Sequence, residues 1–219
     1  MGSVSAGTFA VALAWTESRG LATSGQVTLY LVLLELPAIL TGLWLYRRFT
    51  AGGQQRDDNA VPLWQETLTN RSVILLVGGL IIGMLYGKHN GSQVTALLTQ
   101  AFPLILALFL LEMGLVAAET LRKIQLRHWR VIAFALCTPP LLSLAGLFTG
   151  IALGLTPGTT IVLATLTASA SYIAAPVAVR HAIEDADIGL VMLASLGITF
   201  PFNVLIGIEL YASLLALLG

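Results

Sequence analysis

Two serines and a proline interrupt a long apolar stretch, and they are the residues best placed to bind a solute. Ser169, Ser171 and Pro176 lie within TASASYIAAPVAVR, residues 167–180, with long apolar runs on both sides. Backbone leaves regular helix at bilayer depth only where protein or a water-filled cavity receives its polar groups. The stretch therefore predicts a broken helix whose two ends face a site. For one such stretch alone, close helix packing through small residues is the alternative.

The chain opens with a second copy of this hydroxyl pattern. Ser3 aligns with Ser169, and Ser5 aligns with Ser171, both at an offset of 166 residues.

Two further landmarks follow the same register. Pro37 pairs with Pro201 at an offset of 164, and Gly42 pairs with Gly207 at an offset of 165. Such agreement indicates an internal repeat. Paired interrupted segments in corresponding halves of a chain are the best sequence pointer to a transporter's binding site.

The composition is that of a membrane protein. Of the 219 residues, 57% are hydrophobic and 10% are charged, with a mean hydropathy of +0.88 and a net charge of zero. Soluble domains carry roughly a quarter charged residues, and nucleic-acid binding needs a basic patch. Cys137 is the single cysteine, so a disulfide framework within the chain is excluded.

Nothing in the sequence predicts an enzyme or a metal centre of protein side chains. It contains no nucleophile elbow, P-loop, HExxH or dinucleotide fingerprint. The predicted spans contain no histidine or aspartate, which an intramembrane enzyme would pair with a nucleophile. No cofactor is expected.

The hydropathy pattern predicts an all-α, polytopic membrane protein. A half-helix over residues 2–16 precedes six spans, several of them near or above the ~20 residues that a bilayer requires. The spans are 26–46, 72–87, 94–118, 131–155, 159–180 and 188–218.

The basic residues orient these spans. Nine lie in loops on one side, which the positive-inside rule makes cytoplasmic, and only Arg19 and Lys88 lie on the other. Five crossings separate the loops 17–25 and 181–187, which are equivalent in the repeat, so these loops face opposite sides. The repeat is therefore predicted to be inverted, with an axis in the membrane plane.

The first copy of the repeat is predicted to be incomplete. Residues 1–48 read as its C-terminal remnant, 49–69 as a cytoplasmic linker, and 70–219 as a complete second five-helix repeat. By this logic roughly 100 residues are expected upstream of the remnant.

Two broken helices of opposite orientation bring half-helix N-termini together near the midplane. A helix N-terminus carries free N–H groups and about half a positive charge, which favours an anion. Hydroxyls can donate to an anion or ligate a hard cation through their oxygens. The substrate-binding candidates are Ser3, Ser5, Thr8, Ser169 and Ser171.

Two carboxylates, Glu35 and Glu112, lie in the middle of predicted spans, where a charge is costly and functional by default. Glu35 precedes Pro37, and its repeat partner is Thr199, another oxygen beside a proline; a structural, hydrogen-bonded carboxyl is the alternative. Glu112 could face the same site, although we favour a structural role for it. Asn203, one turn after Thr199, could bond across helices or face the site.

Four stretches of this sequence resemble the sodium-dependent bicarbonate transporter family first known from cyanobacteria. The matching motifs are TASASYIAAPVAVR, GSVSAGTFAVAL, LELPAIL and ITFPFNVLIGIELY, in family order and spacing. The resemblance implies a ten-span inverted-repeat transporter of the plasma membrane, often trimeric, that symports sodium with bicarbonate bound between two broken helices. It also places Glu35 at an acidic family position, and cyanobacterial members bind a trimeric cytoplasmic signalling protein.

The resulting prediction is a secondary transporter for bicarbonate or a similar small anion, with sodium as coupling ion. An organic-anion carrier on a related scaffold, or a non-transporting membrane fragment or subunit, are the alternatives. The candidate sodium ligands are Glu35, Thr199, Tyr172 and Asn203.

Overall fold

A computed structural model describes residues 4–50, 71–122, 128–173, 175–176, 179–180 and 186–218. Their regular structure is helical, and no strand occurs among them. We number the helices in chain order as α1 Ala6–Ser18, α2 Val27–Thr50, α3 Arg71–Arg122, α4 Trp129–Ala152, α5 Pro157–Ala168 and α6 Ile188–Leu218. The predicted linker 49–69 falls largely outside the described residues.

Three described helices are long and apolar enough to cross a membrane. They are Gln100–Arg122, Trp129–Ala152 and Ile188–Leu218, with 23, 24 and 31 residues. The predicted spans 72–87 and 94–118 both fall in α3, which Gly87 interrupts with φ 63° and ψ 179°. Glycine adopts this positive φ without steric cost.

Helix α5 is the centre of the fold. Ten of its twelve residues are buried, so it contacts protein on all sides and does not face lipid. Pro157 occupies its first turn, where a missing N–H costs nothing. One core cluster joins α5 to α1, α2 and α6 through residues such as Phe9, Leu31, Val162 and Ile208.

Glycines on α4 allow it to approach the α5 backbone closely. A Cβ on Gly146 would lie 2.6 Å from Ala164 Cα, and a Cβ on Gly150 would lie 2.5 Å from Thr160 Cγ2. Small residues four apart are a common means of close helix packing in membranes. This contact fixes α5 laterally and therefore positions its C-terminus.

Gly146→Ala is expected to destabilise the protein, because Ala164 backbone cannot move as a flexible side chain could. Overpacking of this kind typically costs about 1–3 kcal/mol. Gly114→Ala is the matched control, since nothing in the described part of the chain outside its own helix backbone lies within 4 Å of its Cβ position. Thermal unfolding of the detergent-solubilised variants measures the difference. Equal melting temperatures for the two variants would contradict this packing.

Helix α6 is not α-helical throughout. π-helical segments at Leu193–Thr199 and Asn203–Gly207 flank the turn that contains Pro201. The Phe200 N–H donates to Ser195 O, and the Ile208 N–H donates to Asn203 O, five residues back in each case. π-Turns inside α-helices frequently occur at functional sites.

Candidate functional site

Helix α5 ends in the protein interior at the first predicted serine. Ser169 has extended backbone, with φ −84° and ψ 167°, and only 4% of its surface is exposed. Its N–H and its hydroxyl both donate to Leu166 O, at 3.1 and 2.8 Å. Residues 175–176 and 179–180 are helical again. The predicted span 159–180 is therefore not one continuous helix.

Helix α1 begins in the interior at Ser5, which is 2% exposed. The Ser5 hydroxyl accepts the Thr8 N–H at 3.1 Å, and the Ser5 carbonyl accepts the Phe9 N–H at 2.9 Å. Serine is among the preferred N-cap residues because its oxygen satisfies one of the free first-turn donors. The other first-turn N–H groups have no partner within the helix.

The start of α1 and the end of α5 are in direct contact. The Ser5 N–H donates to Ser169 Oγ at 3.0 Å, although 164 residues separate them in the sequence. The positive end of α1 therefore lies against the non-helical backbone that follows α5. The two copies of the serine pattern predict that two half-helix N-termini meet, whereas this contact joins the N-terminus of α1 to the C-terminal end of α5.

Thr8 contributes a buried hydroxyl to the first turn of α1. Thr8 is 1% exposed, and its Oγ1 has no hydrogen-bond partner among the described residues. By contrast, the equally buried Thr165 hydroxyl donates to Ile161 O at 2.8 Å. Because buried polar groups are rarely left unpaired, Thr8 is the side chain in this region that most clearly indicates a ligand.

Helix α6 supports the same region through a chain of buried hydrogen bonds. The Asn203 Nδ2 donates to Ala168 O at 3.2 Å, and the Tyr211 hydroxyl donates to Asn203 Oδ1 at 2.6 Å. Thr199 donates to Ala135 O of α4 at 3.1 Å. Asn203 and Thr199, both predicted as sodium ligands, thus bond across helices in this structure.

The other predicted site residues are mostly buried. Ser171, Tyr172 and Glu35 are 5%, 7% and 6% exposed. The Tyr172 hydroxyl approaches Ser5 and Gly7 at the first turn of α1, so Tyr172 lies on the anion side of the region. Ser3 lies outside the described residues. Glu112 is exposed on α3, so the alternative that it faces the buried site is wrong.

Sequence reasoning missed two residues that shape this region. Gly7 lets the Tyr172 hydroxyl and the Phe109 ring approach the α1 backbone, since a Cβ there would collide with both. The position of Gly7 between the candidate residues Ser5 and Thr8 is the sequence feature that could have identified it. Tyr211 stands eight residues after Asn203, on the same helix face, and that spacing could identify it.

The electrostatics of the region favour an anion at α1. The α5 carbonyls of Leu166 and Ala168 accept hydrogen bonds from Ser169 and Asn203, so protein donors already compensate the negative end of that helix. The positive end of α1 faces hydroxyls and its own N–H groups, which suit a small oxyanion. No three His, Cys, Asp or Glu side chains cluster anywhere in the described ranges.

Comparison with known proteins identifies the class. No curated protein matches the chain. The family model of the Na+-dependent bicarbonate transporter superfamily matches residues 1–216 of the 219. That family consists of transporters, so the protein is a membrane transporter and not an enzyme. Over nearly its whole length, the chain belongs to the Na+-dependent bicarbonate transporter superfamily.

Proposed function

We propose that the protein is a secondary active transporter that carries bicarbonate together with sodium across the plasma membrane. The observation that carries this proposal is the buried contact between Ser5 N and Ser169 Oγ, at 3.0 Å. It joins the N-terminus of α1 to the break after α5, beside the Thr8 hydroxyl, which has no partner among the residues that the structure describes. Such a site can hold a small anion without a basic side chain.

The bound anion would lie on the first turn of α1. The first-turn N–H groups and the helix dipole supply positive potential, and hydroxyls supply directed hydrogen bonds. Ser3, Thr8 and Ser171 are the proposed contacts, whereas Ser5 and Ser169 shape the site, because the Ser5 N–H donates to Ser169 Oγ and the Ser169 hydroxyl donates to Leu166 O. Hydrogen bonds to a charged ligand contribute about 1.5–3 kcal/mol each, so three or four of them suffice for selective binding.

Glu35 is proposed as the negative charge of the sodium site. It is buried, on a helix that also contains Pro37, with no hydrogen-bond partner among the described residues. A bond from Ser24 N to Thr159 Oγ1, 2.8 Å long, aligns the starts of α2 and α5. At a rise of 1.5 Å per residue, Glu35 lies ~12 Å from the start of α2, and Ala168 lies ~16 Å from the start of α5. The two residues are therefore at similar depths along these helices. Thr199 and Asn203 remain the other candidate ligands, whereas the Tyr172 hydroxyl lies against the first turn of α1.

The proposed mechanism is alternating access by two inverted repeats, one including residues 1–48 and the other residues 70–219. The buried positions of Glu35 and Thr199, which are equivalent in the repeat, support this arrangement. One half would rock against the other around the anion and sodium. We further propose a multi-pass trimer whose linker 49–69 contacts a cytoplasmic signalling protein.

Transport by the complete protein in proteoliposomes tests this function. We expect uptake of labelled bicarbonate to follow an inward sodium gradient and to stop when potassium or choline replaces sodium. Excess formate or acetate in the same assay identifies any preference for organic anions. Uptake that is indifferent to sodium, or preferred uptake of an organic anion over bicarbonate, would refute the proposal.

Ser169→Ala is expected to lower sodium-driven uptake about tenfold. The substitution removes the acceptor of the Ser5 N–H, and that hydrogen bond holds the start of α1 in the position where the anion is proposed to bind. Ser143→Ala is the matched control. Ser143 is also buried, and its hydroxyl also donates to the carbonyl three residues back, Pro140 O, at 2.7 Å. Unlike Ser169, it accepts no hydrogen bond from another segment within the described residues. If both variants transport equally well at equal expression, Ser169 does not organise the site.

A further inference from the structure

The ring of Tyr172 is held in one position beside the proposed anion site. It packs edge-to-face against Phe200, with centroids 5.3 Å apart and an interplanar angle of 71°. Leu196 of α6 and Phe109 of α3 complete the surrounding apolar cluster. Aromatic pairs of this geometry are favourable beyond their buried area, so the ring direction is well determined.

This ring directs its hydroxyl at the first turn of α1. A Cβ on Gly7 would meet the Tyr172 hydroxyl before any other atom, with Phe109 Cε1 next at 2.7 Å. The Ser5 side chain also lies beside the Tyr172 hydroxyl. The phenol therefore lies where the first-turn N–H groups of α1 would receive an anion.

The hydroxyl hydrogens of Ser5, Thr8 and Tyr172 determine what the Tyr172 phenol can do at this position. Ser5 Oγ accepts the Thr8 N–H, at 3.1 Å, and the Ser5 hydroxyl hydrogen has no other acceptor among the described residues, so that hydrogen can be donated to the Tyr172 oxygen. The phenolic hydrogen then remains available, as does that of Thr8, whose Oγ1 has no partner in the described part of the chain. Both are neutral donors that can turn towards the same ligand.

We propose that Tyr172 determines the anion specificity of the transporter. This inference rests on the proposed function, because it concerns the same site. The phenolic hydroxyl donates to the bound anion, and the ring, held by Phe200 and Phe109, limits the size of the anion that can lie against the first turn of α1. The phenol contributes a hydrogen bond without a charge of its own. The N-terminus of α1, equivalent to about half a positive charge, is then the positive potential at the site, and it is better matched to a monovalent than to a divalent anion.

Binding to the complete purified protein tests the proposal independently of transport. Thermal shifts are recorded against bicarbonate, formate, acetate, propionate and oxalate in saturating sodium, since a ligand stabilises by its concentration relative to Kd. Tyr172→Phe keeps the ring and removes the hydroxyl, whereas Tyr172→Leu also removes the ring. Tyr86→Phe is the control, because Tyr86 is 57% exposed on α3.

We expect Tyr172→Phe to weaken bicarbonate and formate binding about ten- to a hundredfold, as the loss of one hydrogen bond to a charged ligand does. We expect Tyr172→Leu to admit propionate, and Tyr86→Phe to behave as the wild type. Wild-type affinity in Tyr172→Phe overturns the donor role, and continued exclusion of propionate by Tyr172→Leu overturns the size role.

The same experiment separates the two proposals. If the wild-type protein binds small monoanions selectively but shows no sodium-driven uptake, the transport function fails and the role of Tyr172 stands. If the wild type transports bicarbonate and Tyr172→Phe is unchanged in both affinity and selectivity, the transport function stands and the role of Tyr172 fails. If the wild type binds none of the anions, the specificity role is refuted.

Discussion

Thr8→Val is expected to abolish most sodium-driven bicarbonate uptake and yet leave the protein as stable as the wild type or more so. The Thr8 hydroxyl is buried without a partner among the described residues, so valine of nearly equal shape removes an unsatisfied polar group. That change stabilises by about 1 kcal/mol. Loss of the hydrogen bond to the anion weakens binding about ten- to a hundredfold. Uptake kinetics and thermal unfolding measure the two effects.

The control for this experiment is Thr165→Val. Thr165 is equally buried, but its hydroxyl donates to Ile161 O within its own helix, at 2.8 Å. Valine there should change uptake less than twofold, because that hydroxyl is already satisfied by the backbone. Opposite effects of Thr8→Val on stability and uptake are the decisive result. Reduced stability together with normal uptake would mean that Thr8 is structural.

Asn203→Leu is expected to destabilise the protein more than either Gly146→Ala or Tyr211→Phe. It removes the donor to Ala168 O and the acceptor of the Tyr211 hydroxyl in a fully buried place. Two buried polar groups left unpaired cost about 1–3 kcal/mol each, which approaches the whole stability of many proteins. Unfolding in detergent measures the loss, and it should accompany a loss of uptake because the α5 terminus is no longer held.

Tyr211→Phe separates the contributions of the two hydrogen bonds that Asn203→Leu removes. It leaves the Asn203 bond to Ala168 O intact and removes only the 2.6 Å bond to Asn203 Oδ1. About half of the destabilisation is therefore expected, with uptake largely kept. If Tyr211→Phe destabilises as much as Asn203→Leu, then the tyrosine and not the α5 terminus accounts for the role of Asn203.

The centre of the site is predictable from the sequence because its signals are local. Serine is a poor residue for a lipid-facing helix and a preferred N-cap, which is the position of Ser5, and the hydroxyl-rich stretch around Ser169 predicts the break after α5. The two copies of the pattern predict that two half-helix N-termini meet, whereas the 3.0 Å bond joins the N-terminus of α1 to the C-terminal end of α5. Family membership follows from the same motifs.

Other features depend on tertiary contacts that no local pattern encodes. The sequence groups Tyr172 with the candidate sodium ligands, whereas its ring direction is set by Phe200, a neighbour only in space. Asn203 could face a ligand or another helix, and the position of Ala168 decides between them. Glu112 has the same residue type and a similar depth in the sequence pattern as Glu35, but only Glu35 is buried.

The π-helical segments of α6 make the effect of a change in length depend on where the change falls. A π-turn is equivalent to one residue inserted into an α-helix. Deleting a single residue from Leu193–Thr199 would convert the π-turn to an α-turn and largely keep the direction of the later side chains, including that of Asn203. The same deletion within the α-helical Ile208–Leu218 would turn every later side chain by about 100°. Single-residue deletions should therefore be better tolerated in the π-helical segments than in the α-helical part of this helix.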